Sequence, residues 1–161
     1  MNKLFIGREK EQRQLKEYLS SDQSEFIAVY GRRRVGKTFL IQQVIGNNYA
    51  FYVAGMNNVS MRIQLKNFMQ GMRKNGEDIH TADTWLDAFI ALEDYLDSLP
   101  EGNKIVFIDE MPWMDTPRSN FISGLEHFWN SWASWRDDIK LIVCGSATSW
   151  ILNNLIKNRG G

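Results

Sequence analysis

Two glycines, a lysine and a threonine stand at the spacing G-x-x-x-x-G-K-T in residues 31–38, and this spacing suits the binding of a phosphate group. Gly31 and Gly36 can adopt positive φ angles, which lets backbone N–H groups turn inward around an anion. Lys37 would add a positive charge at the β- and γ-phosphates, and the Thr38 hydroxyl is a suitable ligand for Mg²⁺. The apolar residues on both sides favour this interpretation, a Walker A loop, over a glycine turn that precedes a helix by chance.

The remaining positions of this loop are candidate nucleotide contacts. They are the residues between the glycines and the one after the threonine: Arg32, Arg33, Arg34, Val35 and Phe39. We interpret the three arginines as solvated variable positions, with contact to a phosphate or a partner as the alternative.

A second motif is the apolar run 105–108, which ends in two carboxylates, Asp109 and Glu110. This is the Walker B pattern: Asp109 would reach Mg²⁺, usually through water, and Glu110 would polarise a water molecule that attacks the γ-phosphate. The alternative, an ordinary charged end of a strand, is less favoured because the phosphate loop lies upstream. The sequence lacks an Asn-Lys-x-Asp motif, so we expect ATP rather than GTP.

A third segment, residues 141–148, places polar side chains just after an apolar run. Ser146, and after it Thr148, could bind the attacking water or the γ-phosphate. Ser146 would serve equally well as the N-cap of the next helix, and the sequence leaves both roles open. Cys144 is the single cysteine and is expected to be a buried structural thiol.

Composition excludes some classes of function. The 161 residues are 43% hydrophobic, which suits one domain with its own core, and we assign residues 1–161 to it. The 19 basic residues balance the 19 acidic ones, so no overall positive charge implies nucleic-acid binding. The sequence shows no signal peptide and no apolar stretch of membrane-spanning length, so we expect a cytoplasmic protein.

The pattern of apolar residues predicts alternating strands and helices. We expect strands over residues 26–30, 48–56, 104–109 and 139–144, and helices over 8–19, 36–45, 60–74, 84–99, 121–132 and 150–156. This alternation predicts an α/β fold in three layers, a P-loop fold with a mostly parallel sheet covered by helices on both faces.

Two helices carry more specific expectations. Thr84 should cap the helix it precedes, whose apolar side is expected to hold Leu86, Phe89, Ile90 and Tyr95. The stripe of Trp129, Trp132 and Trp135 is interpreted as core packing, with an exposed docking surface as the alternative.

Together, the motifs resemble the archaeal-type ATPase family, P-loop proteins related to AAA+ and to signal-transduction ATPases with numerous domains. The resemblance rests on residues 5–9, 30–38, 107–113 and 144–150, so it spans nearly the whole chain. It implies that Ile6 and Arg8 lie beside the adenine and that Ser146 occupies a sensor position.

The resemblance also implies parts that this sequence does not contain. Family members continue with a fifth strand in the order 5-1-4-3-2, a helical lid and C-terminal domains, so we expect a truncation after the fourth core strand. The first strand would then lie at an edge of the sheet. Arginines from a lid or from another subunit of a homo-oligomer would be missing, with Arg159 as a weak local candidate. Any nucleic-acid contact would fall to the C-terminal domains.

Three functions remain open at this point. The first is a Mg²⁺-dependent ATPase module that drives or switches attached domains, with Lys37, Ser146 and Glu110 as its catalytic residues. The second is a nucleotide-dependent switch or scaffold without hydrolysis, and this fragment alone is expected to hydrolyse ATP weakly or not at all. A small-molecule kinase is disfavoured because a water-activating Glu110 would waste ATP.

Overall fold

The computed structural model describes residues 9–31, 36–72, 81–146 and 148–156, without the side chains at positions 148, 149, 152 and 156. The candidate site residues Ile6, Arg8 and those at positions 32–35, together with Arg159, lie outside the described residues. No helix in the described part of the chain combines the length and the apolar character that crossing a membrane requires.

Helices and strands alternate as the apolar pattern predicts. In chain order they are α1 (Glu9–Leu19), β1 (Glu25–Tyr30), α2 (Lys37–Ile45), β2 (Phe51–Ala54), α3 (Met61–Gln70), α4 (Trp85–Asp97), β3 (Lys104–Asp109), a 3₁₀ turn (Met111–Met114), α5 (Phe121–Ser131), a second 3₁₀ turn (Ala133–Trp135), β4 (Ile139–Gly145), α6 (Thr148–Ile151) and a π-helical turn (Leu152–Ile156). The predicted cap of α4 is confirmed, since the Thr84 hydroxyl accepts a hydrogen bond from the Asp87 N–H at 3.1 Å.

The four strands form one sheet in the order β1-β4-β3-β2, and all neighbouring pairs are parallel. The α/β fold class is therefore confirmed, with β1 at an edge of the sheet formed by the described residues. Every residue of β3 and β4 is buried, as expected for apolar strands covered on both faces. Because the strands are parallel, all begin at one side of the sheet, the amino edge, and end at the opposite side, the carboxyl edge.

The two faces of the sheet carry cores of different size. The larger core packs α3, α4 and α5 against the sheet and is rich in aromatic rings, among them Phe68, Trp85 and Phe121. Full burial of one such ring stabilises the fold by about 1.5–3 kcal/mol. The smaller core joins α1 and α2 to the other face through apolar residues such as Leu15 and Ile41. This second layer carries the glycine loop that precedes α2.

The structure corrects the predicted orientation of α4. Leu86 and Ile90 are 44% and 38% exposed, whereas Trp85, Phe89 and Leu92 are fully buried. The helix is apolar around much of its circumference, so spacing alone did not identify the buried side.

Two further expectations are wrong in detail. Strand β2 covers only Phe51–Ala54, shorter than predicted; Gly55 still donates to the Asp109 carbonyl, and the chain turns at residues 57–58. Trp129 is buried as predicted, but Trp135 lies in the 3₁₀ turn after α5 and is 85% exposed.

Candidate functional site

Both glycines of the predicted phosphate loop adopt backbone angles that favour glycine. Gly31, directly after β1, has φ 144°, and Gly36, the N-cap of α2, has φ 75° and ψ 30°. A side chain at either position would strain the backbone. The α2 helix begins at Lys37, so its first N–H groups and the positive end of its dipole face the loop.

Lys37 folds back over the loop that precedes it. Its side chain is buried, and Nζ donates a hydrogen bond to the Gly31 carbonyl at 3.1 Å. This contact joins the two described ends of the loop, Gly31 and Lys37, and keeps the ammonium group beside them. Phe39 follows on the same helix and is 38% exposed.

The two predicted motifs meet at one hydrogen bond. Thr38 Oγ1 donates to Asp109 Oδ2 at 2.8 Å, although the two residues are 71 positions apart in sequence. The other carboxylate oxygen of Asp109 accepts the Glu110 N–H at 2.8 Å. Asp109 is only 4% exposed, so its carboxylate is held in place beneath the start of α2.

Glu110 follows directly after strand β3 and has an unusual backbone conformation. Its φ is 49° and its ψ 41°, the left-handed helical region, which costs a residue with a Cβ about 1–2 kcal/mol. The side chain is half-buried. A strained residue at the end of a central strand, beside a candidate phosphate site, is a candidate functional residue.

Two glycines enclose the turn that Glu110 begins. A Cβ on Gly55, after β2, would lie 2.3 Å from the Glu110 carbonyl oxygen, and a Cβ on Gly145, at the end of β4, would lie 2.6 Å from Pro112 Cδ. The turn therefore packs between the ends of the two neighbouring strands. Sequence reasoning did not assign a role to Gly55, although a glycine directly after a strand was a signal of close backbone approach.

Ser146 follows directly after β4 and is half-buried. The register pairs Gly145 with Tyr30, the residue before the glycine loop, and Val143 with Ile108, the residue before Asp109. Ser146 therefore lies at the carboxyl edge, after the strand that separates β1 from β3. Its two candidate roles both remain predictions.

Asp109 also influences the groups beneath the site. Burial, followed by the Asp109 charge and a hydrogen bond with Asp109, raises the pKa of the Cys144 thiol far above its ordinary value. Burial and then the same charge raise the pKa of the Tyr52 hydroxyl. Cys144 is completely buried, which confirms the prediction of a structural thiol.

Comparisons with known proteins agree with this geometry. Residues 5–160 match the sequence profile of a family described as an ATPase domain predominantly from Archaea. An uncharacterized protein from Methanocaldococcus jannaschii is 32% identical over 152 residues, which make up 91% of this chain and 30% of that protein. The chain thus spans about a third of the length of this curated relative.

A solved structure shares the fold. The Walker-type ATPase of Pyrococcus abyssi superposes with a TM-score of 0.61 and 18% sequence identity, over 92% of this chain and 47% of that one. The family match extends over nearly the whole chain and includes both motifs that the Thr38–Asp109 hydrogen bond joins. The chain therefore belongs to the family of ATPase domains found predominantly in Archaea.

Proposed function

We propose that this chain is the nucleotide-binding module of a Mg²⁺-dependent ATPase that hydrolyses the β–γ phosphoanhydride bond of ATP. The observation that carries the proposal is the 2.8 Å hydrogen bond from Thr38 Oγ1 to Asp109 Oδ2. In P-loop proteins these two residue types hold the metal ion between them. Their contact supports the assignment of residues 31–38 as Walker A and of Asp109 as the Walker B carboxylate.

The two oxygen groups fit a magnesium ion. The described residues contain no cluster of three or more His, Cys, Asp or Glu side chains able to hold a metal. Mg²⁺ commonly uses one or two protein oxygens, with phosphate oxygens and waters completing its shell, so Thr38 and Asp109 suffice. When bound with ATP, the ion would neutralise charge on the β- and γ-phosphates.

The chain's own groups would do the remaining work. The loop amides and the start of α2 bind the phosphates, and Lys37 places its ammonium group at the transferred phosphoryl group. Glu110 accepts a proton from the attacking water, and Ser146 orients that water or the γ-phosphate. Ile6 and Arg8 are proposed to contact the adenine, on the family resemblance.

The same proposal assigns the chain a place in a larger molecule. It spans 30% of the Methanocaldococcus relative and 47% of the Pyrococcus structure. We propose that hydrolysis drives or switches the additional parts that such proteins carry, and that an arginine from another part or subunit accelerates it. Such arginines contribute about 10³–10⁵ to the rate, so this chain alone should turn over slowly.

Two variants test the proposal. Calorimetry should show Mg²⁺-dependent ATP binding, weakened at least about 100-fold by Lys37→Ala through loss of the charge at the phosphates. Glu110→Gln should keep binding and reduce phosphate release by about 10²–10⁴-fold, as removal of a general base does. Lys66→Ala, on the exposed side of α3, is the matched control for loss of a lysine.

The outcomes separate the two leading functions. Phosphate release that depends on Glu110 supports an ATPase. Tight ATP binding with release that Glu110→Gln leaves unchanged would instead favour a switch without hydrolysis by this site. Absence of ATP binding in the presence of Mg²⁺ would contradict both.

A further inference from the structure

The loop after β2 contacts the turn that carries Glu110. The Gly55 N–H donates to the Asp109 carbonyl at 2.8 Å, and the Gly55 Cα lies against the Glu110 carbonyl so closely that an added Cβ would be 2.3 Å from its oxygen. The same Cβ would lie 3.2 Å from Trp113 Cβ. Backbone atoms cannot move aside as a flexible side chain can. The Glu110 carbonyl can therefore take this position only because residue 55 is a glycine and has no Cβ.

A buried amide on α3 fixes the same two segments. Gln64 is completely buried, and its Oε1 accepts the Met56 N–H at 3.1 Å. Its Nε2 donates to the Met56 carbonyl and, at 3.1 Å, to the Trp113 carbonyl. A buried amide with all these bonds made holds a fixed orientation, because a rotation would leave buried polar groups unpaired. Gln64 thus links the residue after Gly55 to the 3₁₀ turn that follows Glu110.

These contacts explain how Glu110 keeps a left-handed backbone. A residue with a Cβ remains in that region only where the surrounding structure determines its position more strongly than its own preference does. The Glu110 carbonyl also accepts the Trp113 N–H at 3.2 Å, so the turn is closed on itself, and the Gln64 amide holds it from outside through the Trp113 carbonyl. Gly55 leaves space for the Glu110 carbonyl, and Gln64 fixes the distance between the loop after β2 and the 3₁₀ turn.

We infer that Gly55 and Gln64 are positioning residues for Glu110, which set its left-handed backbone and thereby the location of its carboxylate at the carboxyl edge. The inference rests on the proposed role of Glu110 in hydrolysis. It assigns a role in the reaction to the end of β2, a strand that carries neither the Walker A loop nor the Walker B carboxylates.

A double-mutant cycle tests the role of Gly55. Gly55→Ala should lower single-turnover phosphate release by about 10²-fold, the loss expected of a displaced general base, and should change the Kd of Mg²⁺·ATP by less than threefold. In a Glu110→Gln background, the same substitution should lower release by less than threefold, because the group that it displaces is already absent. A loss of the same factor in both backgrounds would show a general structural effect and overturn the inference.

Gly71→Ala is the matched control. A Cβ on Gly71 would lie 2.7 Å from Phe51 Cε1 and 3.1 Å from the Tyr52 carbonyl oxygen, a crowded position at the other end of α3 from the Glu110 turn. We expect this variant to lower the unfolding midpoint and to leave phosphate release per folded molecule within threefold of the wild type. An equal loss of release in both glycine variants would contradict a specific role for Gly55.

Gln64→Leu tests the second positioning residue. It keeps an apolar volume close to that of the amide and removes the bonds to Met56 and Trp113, so release should fall at least tenfold. Asn103→Leu is its control, since Asn103 Nδ2 also donates to a backbone carbonyl, that of Leu19 at 3.3 Å, but lies just before β3 at the amino edge of the sheet. The role of Gln64 is refuted if both variants lose the same factor.

A structural measurement separates this inference from the proposed function. In a crystal structure of Gly55→Ala, the φ angle of Glu110 should leave the positive region and its carbonyl should move away from residue 55. If φ stays near 49°, the inference is wrong whatever the activity. If the wild-type chain binds no ATP, the proposed function fails, while the change of φ still decides whether Gly55 sets the backbone of Glu110.

Discussion

The two edges of the sheet both carry buried or half-buried aspartates, but they hold them with different partners. At the amino edge, Asp138 accepts two hydrogen bonds from Arg136, both at 2.9 Å, and one from Lys104 at 3.0 Å. Arg136 also reaches Asp97 at 2.6 Å. The hydrogen bond from Arg136, and further contacts with Arg136 and Lys104, lower the pKa of Asp138 to about 2 despite its partial burial.

At the carboxyl edge, the hydrogen bonds that Asp109 accepts from Thr38 and Glu110 come from neutral groups. They are a hydroxyl and a backbone amide, each at 2.8 Å. A hydroxyl can turn its lone pairs toward a cation when one binds, whereas an arginine cannot change from donor to acceptor.

The difference indicates which carboxylate is available for a ligand. When an aspartate binds buried charged side chains of its own chain, removing it is destabilising, because those charges lose their partner. When an aspartate is bonded to a neutral hydroxyl, the carboxylate oxygen and the hydroxyl oxygen can both become ligands of a metal ion. The type of donor that each carboxylate faces therefore shows better than the number of charges at an edge which carboxylate can bind a ligand.

Asp109→Asn gives the largest effect that the comparison predicts. Loss of the carboxylate should lower Mg²⁺-dependent phosphate release at least about 100-fold, because a metal ligand supplies several kcal/mol of transition-state stabilisation. The free energy of unfolding should not fall, since the change removes a buried charge. Phosphate release and urea unfolding measure the two effects. A strong loss of stability with activity retained would show that Asp109, like Asp138, serves stability and does not bind a metal ion.

Asp138→Asn should show the opposite combination. Without the carboxylate, the buried Lys104 loses its charged partner, and we expect the free energy of unfolding to fall by about 2–4 kcal/mol. Phosphate release per folded molecule should stay within twofold of the wild type. Asp137→Asn, an exposed neighbour, is the matched control and should change stability by less than about 0.5 kcal/mol.

Glu93 provides a third kind of carboxylate, on α4 between the two edges. Its Oε2 is buried without a hydrogen-bond partner among the described residues, and His127 Nδ1 lies 4.0 Å away. Burial, and then the charges of Asp94 and Asp97, raise its pKa to about 7. The folded state therefore binds a proton that the unfolded state has released between about pH 4.5 and 7, so stability falls as the pH rises through this range.

Glu93→Gln should remove this loss. We expect the variant to be more stable than the wild type by about 1–3 kcal/mol at pH 8, and similar to it at pH 4. Urea unfolding at both pH values measures the difference, and Glu101→Gln, at an exposed glutamate outside α4, is the control. Equal stability of variant and wild type at pH 8 would show that Glu93 finds a partner when ionised.

The smallest expected effect concerns acid. The pKa of Asp138 is lowered in the folded state, so its contribution to stability is complete above its ordinary pKa of 3.8 and is lost as the pH falls toward about 2. After allowance for its partial exposure, this contribution is about 1–2 kcal/mol. Unfolding curves between pH 4 and 2 should show this loss in the wild type and not in Asp138→Asn; parallel losses would assign it to other carboxylates.

Much of the architecture could be predicted because it follows from local patterns. Strand β3 occupies the predicted residues 104–109, and the apolar run of β4 predicted a buried parallel strand. The run of β1 also predicted a strand buried on both faces, but β1 is only half-buried because it lies at an edge of the described sheet. The continuous apolar runs of β3 and β4 were correctly predicted to be buried. The orientation of helix α4 was not predicted correctly, because Leu86 and Ile90 are as apolar as the residues that face the core, and the packing of α3 and α5 against Trp85 and Phe89 selects the buried side.

The candidate site was predicted in its residue types but not in its supporting contacts. Gly31, Gly36, Lys37, Thr38, Asp109 and Glu110 stand in motifs whose spacing reflects their chemistry. Gly55 and Gln64 stand in no motif, since their importance arises from contacts with the Glu110 turn, 55 residues and 46 to 49 residues further along the chain respectively. A sequence motif describes neighbouring positions and therefore does not show which distant residues come into contact.

The sequence by itself determined the strand that leads into residues 31–38 and the strand that ends before Asp109 and Glu110, and it predicted the loop and the two carboxylates as a phosphate and metal site. It could do so because glycine angles, a lysine charge and continuous apolar runs act over a few neighbouring residues. Only the tertiary structure decided that Thr38 meets Asp109, that Glu110 takes a left-handed backbone and that the end of β2 supports it. Those features depend on the order β1-β4-β3-β2, which brings distant segments together at one edge of the sheet.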